Sequence, residues 1–277
     1  MTALLGTPVR GPTALGDSPA RFARLTWTLA VTQFKLKFYG SALGYLWQLM
    51  RPLMLFGVLY VVFNLALNLG KGEMYFPVQL LLGVVLYTFV VEAVGSAVNS
   101  VVERENLVRK IEFPRMAIPA AAVLTAAFNL GLNLVVVTIF GVIQGVPVHV
   151  GLLEVPLLLL VLVAFTLGIS LLVAALYVRF RDIKPITDVF LQVLFYATPI
   201  LYPLATLPAN LRPWFMLNPF AIVVQQARHA VIDPTGLSPF ALGAGAQICG
   251  AVAIVVVLCT LGYRVFRRMA PQMAEEL

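Results

Sequence analysis

Long apolar runs alternate with short polar connections along most of this chain. A helix that crosses the hydrocarbon core of a bilayer needs about 20 predominantly apolar residues. Six runs approach or exceed that length, at about 52–69, 76–102, 117–142, 155–178, 186–204 and 240–265. The pattern therefore predicts an all-α integral membrane protein with six transmembrane helices.

The stretch before the first run has a different pattern. Its apolar positions fall along one helical stripe, while its basic residues lie mostly off that stripe. This predicts an amphipathic helix over 20–48 that lies in the membrane interface, although the same stretch can be read as the start of the first span. Residues 1–19 contain no apolar core long enough for a secretory signal, and we interpret them as a flexible tail ahead of a transmembrane domain over 20–277.

The connection between the fifth and sixth runs is apolar but broken by Pro208, Pro213 and Pro219. Irregular backbone is tolerated at membrane depth only where it is buried in protein or lines a water-filled cavity. We expect short re-entrant helices here, with an amphipathic surface loop as the alternative.

A charged segment, Glu103 to Pro119, separates the second and third runs and carries seven charges in a chain of which only 11% is charged. The part from Glu103 to Glu112 is long enough for about two or three helical turns. Pro114 closes that helix, because the residue before a proline avoids the helical region. A short charged helix between two spans is suited to contact with another protein.

The net charge is +7, and the distribution of the basic residues indicates how the chain is oriented in the membrane. Of the 19 lysines and arginines, 16 fall on one side of the six predicted spans and three on the other. The positive-inside rule then places both termini and the charged segment in the cytoplasm. Because membrane orientation explains the basic residues, we expect no nucleic-acid partner.

No motif for covalent or hydrolytic chemistry occurs: the chain lacks a P-loop, a Gly-x-Ser-x-Gly, a His-Glu-x-x-His and a Cys-x-x-Cys. His149 and His229 have no ligand partner at helical spacing. Cys249 and Cys259 share one apolar run, where ten residues of helix hold them about 15 Å apart, too far for a disulfide. These four residues are interpreted as structural.

Charges inside the spans are functional candidates, because burying them is expensive. Asp188 has Lys184 one helical turn away, which suggests a structural pair. Glu92 has no local partner, so it faces either a wet cavity or a neighbouring subunit.

Aromatic residues are frequent in the fifth run and in the broken connection. Aromatic faces are good surfaces for sliding sugar rings, and they also serve as interfacial anchors or packing. The residues in question are Phe190, Phe195, Tyr196, Tyr202, Trp214 and Phe215.

Five stretches together resemble the membrane subunit of ABC-2 type ABC exporters, and within that class the exporters of O-antigen, teichoic acid and galactan lipids. They are Lys35 to Trp47 with Pro52, Glu105 to Arg115, Tyr177 to Ile183, Thr198 to Tyr202, and Leu217 to Pro219. The resemblance runs from about residue 20 to the last span.

The resemblance implies a second copy of this chain and two copies of a separate cytoplasmic ATPase that binds ATP and magnesium, with no cofactor on this chain. It implies a glycan on a polyprenyl pyrophosphate lipid as the substrate, surrounding membrane lipids, and the bacterial inner membrane as the location. ATP binding would close the ATPase dimer and push on a coupling helix at 103–112.

The resemblance also assigns roles to residues. The coupling contacts would be Glu103, Arg104, Glu105, Asn106, Leu107, Arg109, Lys110, Glu112, Phe113 and Pro114. The substrate entrance would include Lys35, Lys37, Tyr39, Trp47 and Arg51, although contact with ordinary lipid headgroups explains the basic members equally well. The six aromatic residues named above would line the conduit and the outer gate.

Three other functions remain open at this point. The nearest is an ABC-2 exporter of a drug or small lipid. A membrane enzyme acting on polyprenyl-linked sugars would need an acidic or histidine cluster at one membrane face. A secondary transporter would show paired intramembrane charges or an internal repeat.

Overall fold

The computed structural model describes residues 18–39, 44–67, 75–108, 113–234, 236, 238–240 and 245–273. All regular structure in these residues is helical. The α-helices are α1 (Pro19–Phe38), α2 (Leu46–Tyr60), α3 (Phe76–Ser100), α4 (Glu105–Val108), α5 (Ala117–Ile143), α6 (Val155–Arg179), α7 (Ile183–Tyr196), α8 (Arg212–Phe215), α9 (Pro219–Val231) and α10 (Gly245–Met269). A π-helix continues α2 over Val61–Ala66, and 3-10 turns occupy Val102–Arg104, Val150–Glu154 and Leu204–Thr206.

The all-α membrane fold predicted from the sequence is confirmed. Five helical segments of the described residues are long and apolar enough to cross a membrane: Leu46–Ala66, Phe76–Ser100, Ala117–Ile143, Val150–Arg179 and Gly245–Met269. The fifth predicted span, at 186–204, corresponds to the shorter helix α7, which ends at Tyr196. Its 14 residues reach only about 21 Å. Pro199 and Pro203 end it, because a proline lacks the backbone N–H of a helix and restricts the residue before it.

The stretch predicted as one interfacial helix over 20–48 is divided between two helices. After α1 ends at Phe38, Gly44 adopts a positive φ of 48°, a conformation that glycine takes without strain. Helix α2 then begins at Leu46, six residues before the predicted span, and holds Pro52 in its second turn. Most of α2 is exposed, and its large apolar side chains are available to lipid or to another protein in the membrane.

Helix α3 is the centre of the bundle. Seventeen of its 25 residues are buried, and it packs against α2, α5, α6, α7 and α9. The main core cluster includes most of α3 together with apolar residues of the helices around it. A displacement of α3 would therefore shift the helices packed against it, since packed interiors deform little.

Helices α6 and α10 cross at a pair of glycines. A Cβ atom added to Gly262 would lie 2.4 Å from the carbonyl oxygen of Gly168, and one added to Gly168 would lie 2.9 Å from the backbone nitrogen of Cys259. The absence of side chains lets the two backbones approach closely, as is common where membrane helices pack.

The second half of the broken connection after α7 lies inside the protein, whereas most residues from Ala205 to Trp214 are exposed. Ten of the 13 residues of α9 are buried. Arg228 of α9 donates to the carbonyl oxygens of Pro199 (2.6 Å) and Ile200 (2.8 Å), two groups that have left the helical ladder of α7. The Asn218 side chain accepts from the amide of Phe220 at 3.0 Å and so caps α9. This burial and pairing agree with the re-entrant alternative rather than with a surface loop.

Candidate functional site

The connection between α3 and α5 lies at the end of the bundle where α6 and α10 also finish. We call this the charged end. A second core cluster joins the four elements there: Val101 and Val108 from the connection, Met116 and Ile118 at the start of α5, residues of α6 from Leu171 to Val178, and Phe266, Ala270 and Met273 near the end of the described chain. The connection is therefore anchored by apolar packing and is not a loose loop.

Arg115 is the largest side chain buried at this end, with 1% of its surface exposed. Its Nε donates to the carbonyl oxygen of Val108 at 3.1 Å, and its Nη1 donates to the carbonyl oxygen of Ala270. Burial lowers the pKa of this guanidinium below its usual value, yet arginine stays charged at neutral pH. Arg115 thus ties the end of α4 to the end of α10.

The predicted coupling residues fall into three groups in the structure. Glu103 and Asn106, three residues apart, are exposed and share one face. Partly or fully buried are Arg104, Glu105, Leu107, Phe113 and Pro114. Arg109, Lys110 and Glu112 lie outside the described residues.

Arg104 turns back toward the bundle. Its Nη1 donates to the carbonyl oxygen of Ser100 at 3.3 Å. Burial lowers its pKa, and the negative charge of Glu103 partly opposes that shift. Within the described part of this segment, Glu103 and Asn106 therefore form the exposed face, and Arg104 is directed inward.

Glu92 of α3 is the centre of a polar site that joins four helices. Its carboxylate pairs with the ammonium of Lys37 from α1. It also accepts hydrogen bonds from the side-chain amides of Gln48 in α2, at 2.7 Å, and of Asn129 in α5. Asn133 donates to the backbone carbonyl of Asn129 at 2.9 Å. The sequence left open whether Glu92 faces a wet cavity or a neighbouring subunit. In the structure its partners lie within its own chain, and Glu92 also lines a cavity.

A cavity of about 590 Å³ extends from Glu92 toward the charged end. Polar side chains from α1, α3, the connection and α5 line most of it, among them Gln33, Ser96, Asn99, Glu103 and Thr125. It is open to the surface, and such a lining is suited to water or to hydrogen-bonding ligands.

The predicted substrate-entrance residues differ in their surroundings. Lys37 lies in the Glu92 site, whereas Lys35, Tyr39, Trp47 and Arg51 are exposed. Of these five residues, Lys37 therefore belongs to a polar site, and the other four lie on the surface at α1 and α2.

A largely apolar groove of about 700 Å³ lies between α6, α7, α8 and α10. Four of the predicted conduit residues line it: Phe190, Tyr196, Trp214 and Phe215. Phe195 is buried against Tyr87, with ring centroids 4.6 Å apart, and Tyr202 donates its hydroxyl to the carbonyl oxygen of Tyr196. The structure therefore gathers four of the six aromatic residues at one surface and gives the other two packing contacts.

The partners of Glu92 and the contacts of two buried arginines, Arg115 and Arg228, were not predicted from the sequence. Asn129 and Asn133 are one helical turn apart within an apolar run, a pattern that signals a polar site inside a bundle. Arg228 in the apolar broken connection was a comparable signal. Among the described residues, no cluster of three or more histidine, cysteine, aspartate or glutamate side chains is arranged to hold a metal ion.

Comparison with known proteins agrees with this architecture. The model of the family "ABC-2 type transporter" matches residues 24–232. A protein of Myxococcus xanthus named O-antigen export system permease protein RfbA is 28% identical over 187 residues, which cover 68% of this chain and 71% of the relative.

Two proteins of Klebsiella pneumoniae with the same name are similar at greater length. One is 25% identical over 202 residues (73% of this chain, 77% of the relative). The other is 24% identical over 244 residues (88% and 91%). The family match spans α1 through α9 and includes both the charged connection and the re-entrant segment, so this chain belongs to the ABC-2 type transporter family.

Proposed function

We propose that this chain is the transmembrane subunit of an ATP-driven exporter that moves a lipid-linked polysaccharide across the bacterial inner membrane, from the cytoplasmic to the outer side. The relatives named as O-antigen export permeases support a polysaccharide as cargo. ABC-2 family chains are membrane subunits and not themselves the ATPase. ATP hydrolysis would take place on a separate cytoplasmic subunit, present in two copies against two copies of this chain.

The observation that carries the proposal is the anchored connection at the charged end. It follows α3 directly and exposes Glu103 and Asn106. On its buried side it is held by the hydrogen bonds of Arg115 and by the apolar cluster. A push on this surface would be transmitted to α5, α6 and α10 together, because each contributes to the same packed cluster, and to α3 through its direct chain connection. The excess of lysine and arginine on this side supports a cytoplasmic location, where an ATPase would dock.

The groove at 190–219 supports the route of transport. Its aromatic rings present flat apolar faces that contact the C–H edges of sugars without tight hydrogen bonding. A groove of this kind also accepts an acyl chain, so export of a smaller lipid is the second candidate function.

Depletion of the protein in its host cell separates the two candidates. We expect a lipid-linked glycan to accumulate inside the cell and to disappear from the outer surface, measured by mass spectrometry of extracted lipids and by surface labelling of glycan. Re-expression of the wild-type chain should restore both. Accumulation of a glycan-free lipid would favour the second candidate, and unchanged lipid and glycan pools would contradict both.

A further inference from the structure

The Glu92 site lies where α1 meets the rest of the bundle. Glu92 is eight residues before the end of α3, about 12 Å of helix from Ser100. Its side chain is 10% exposed, and that of Lys37 is 42% exposed. The carboxylate is therefore nearly enclosed, whereas its cationic partner reaches it from the surface.

An enclosed carboxylate is stable only if it is paired and hydrogen-bonded. Lys37 supplies the opposite charge, and the amides of Gln48 and Asn129 supply two further donors. Removal of the lysine would leave a nearly buried charge without its counter-ion, which is costly. The site therefore favours the arrangement in which α1 is docked on α3.

The remaining contacts of α1 are mostly with α5. Trp27 and Phe34 pack edge-on against Phe128, with centroid distances of 5.4 and 5.7 Å. The Thr125 hydroxyl, which donates to the carbonyl oxygen of Ala121 at 2.8 Å, also lies 3.3 Å from the carbonyl oxygen of Ala30. Between α1 and the last third of α3 lies the polar cavity of about 590 Å³. The Lys37–Glu92 pair bonds the two helices at one end of that cavity, and Glu103 and Arg104 of the connection line it as well.

We propose that Glu92 is a positioning residue for transport: through Lys37 it ties α1 to α3, so that α1 and the charged connection move as one body. The inference rests on the proposed function, in which the connection receives the movement of the ATPase. Without the tie, α1 remains on α5 through its aromatic contacts but is free to tilt into the cavity. When the connection moves, α1 would then shift into the cavity and would not follow it. The start of α2, which contacts Glu92 through Gln48, would not follow either.

The test uses four variants of the full chain: Glu92→Gln, Lys37→Glu, the exchange Lys37→Glu/Glu92→Lys, and the control Lys35→Glu. Lys35 is exposed, lies two residues away on α1 and undergoes the same charge reversal as Lys37. A spin label at position 32, which is exposed on α1, reports the mobility of that helix in lipid nanodiscs and needs no ATPase.

We expect label mobility to rise in Glu92→Gln and Lys37→Glu, to return toward wild type in the exchange variant, and to remain unchanged in the control. Equal mobility in all variants would overturn the tie, whatever the transported substrate. The mobility result tests the inference about Glu92 alone and does not depend on the proposed function.

The second readout is export per ATP hydrolysed by the assembled transporter. We expect the ratio to fall about tenfold in Glu92→Gln and Lys37→Glu, within the range typical of coupling between two sites, and to recover in the exchange variant. A purely structural role would reduce the amount of folded protein and leave the ratio unchanged, which would overturn the proposal. Absence of ATP-driven export by the wild type would refute the proposed function and leave the mobility result to stand by itself.

Discussion

Replacement of Arg115 by methionine tests how the connection is anchored. Methionine preserves much of the side-chain length and apolar packing but removes both hydrogen bonds, to the carbonyl oxygens of Val108 and Ala270. A hydrogen bond from a charged group contributes about 1.5–3 kcal/mol. We take the lower value for each bond, because loss of the guanidinium also relieves the desolvation that lowers its pKa. The expected loss of local stability is about 3 kcal/mol.

Hydrogen exchange measured by mass spectrometry in nanodiscs reports this loss directly. A local destabilisation of about 3 kcal/mol corresponds to roughly 100-fold faster opening, since each 1.4 kcal/mol is a factor of ten. We expect that acceleration in peptides covering 101–108 and 266–273, with α3 unchanged near Phe89.

Arg267→Met is the matched control, because Arg267 is exposed on the same α10 end and undergoes the same substitution. It should leave exchange at wild-type rates. If Arg115→Met and Arg267→Met gave the same exchange profile, the reasoning that Arg115 holds the connection to α10 would be wrong.

Three further predictions concern other parts of the chain. Gly262→Ala should lower the thermal unfolding temperature in detergent, since overpacking typically costs about 1–3 kcal/mol, whereas Gly131→Ala, with open space around its Cβ position, should not. Arg228→Met should accelerate proteolysis at 197–203, because two buried carbonyl groups lose their donors at about 1–3 kcal/mol each. Arg109→Glu with Lys110→Glu, beyond the described residues, should abolish co-purification of the proposed ATPase while the membrane subunit still folds.

Each of these predictions has a clear contrary result. Equal unfolding temperatures for the two glycine variants would contradict the close crossing of α6 and α10. Unchanged proteolysis would contradict the role of Arg228. Retention of the ATPase by the charge-reversed connection would place the dock elsewhere.

Most of the fold could be predicted because hydrophobicity dominates in a membrane protein. The apolar runs at 76–102, 117–142 and 155–178 correspond closely to α3, α5 and α6. The run at 186–204 is matched by α7 only as far as Tyr196, because its apolar character continues past that residue while its prolines end the helix. Helix length in this region is set by backbone hydrogen bonding and not by hydropathy.

The candidate site was less predictable because its contacts join distant parts of the chain. Lys37 and Glu92 are 55 positions apart, and Arg115 reaches Ala270 across 155 positions. Periodicity places each residue on a helix but does not say which helix faces which. The contacts depend on how α1 docks on α5 and how α10 crosses α6, and those arrangements follow from packing.

The central claim is that this chain carries a lipid-linked glycan across the membrane with energy from a separate ATPase. The most direct measurement reconstitutes the purified chain into proteoliposomes with a candidate P-loop ATPase from the same cell and a fluorescent polyprenyl-pyrophosphate glycan. We expect ATP-dependent transfer of the glycan to the opposite leaflet, and we expect that transfer to be lost when the P-loop lysine of the ATPase is replaced. Transfer that is independent of ATP, or no stable complex between the wild-type chain and the ATPase, would contradict it.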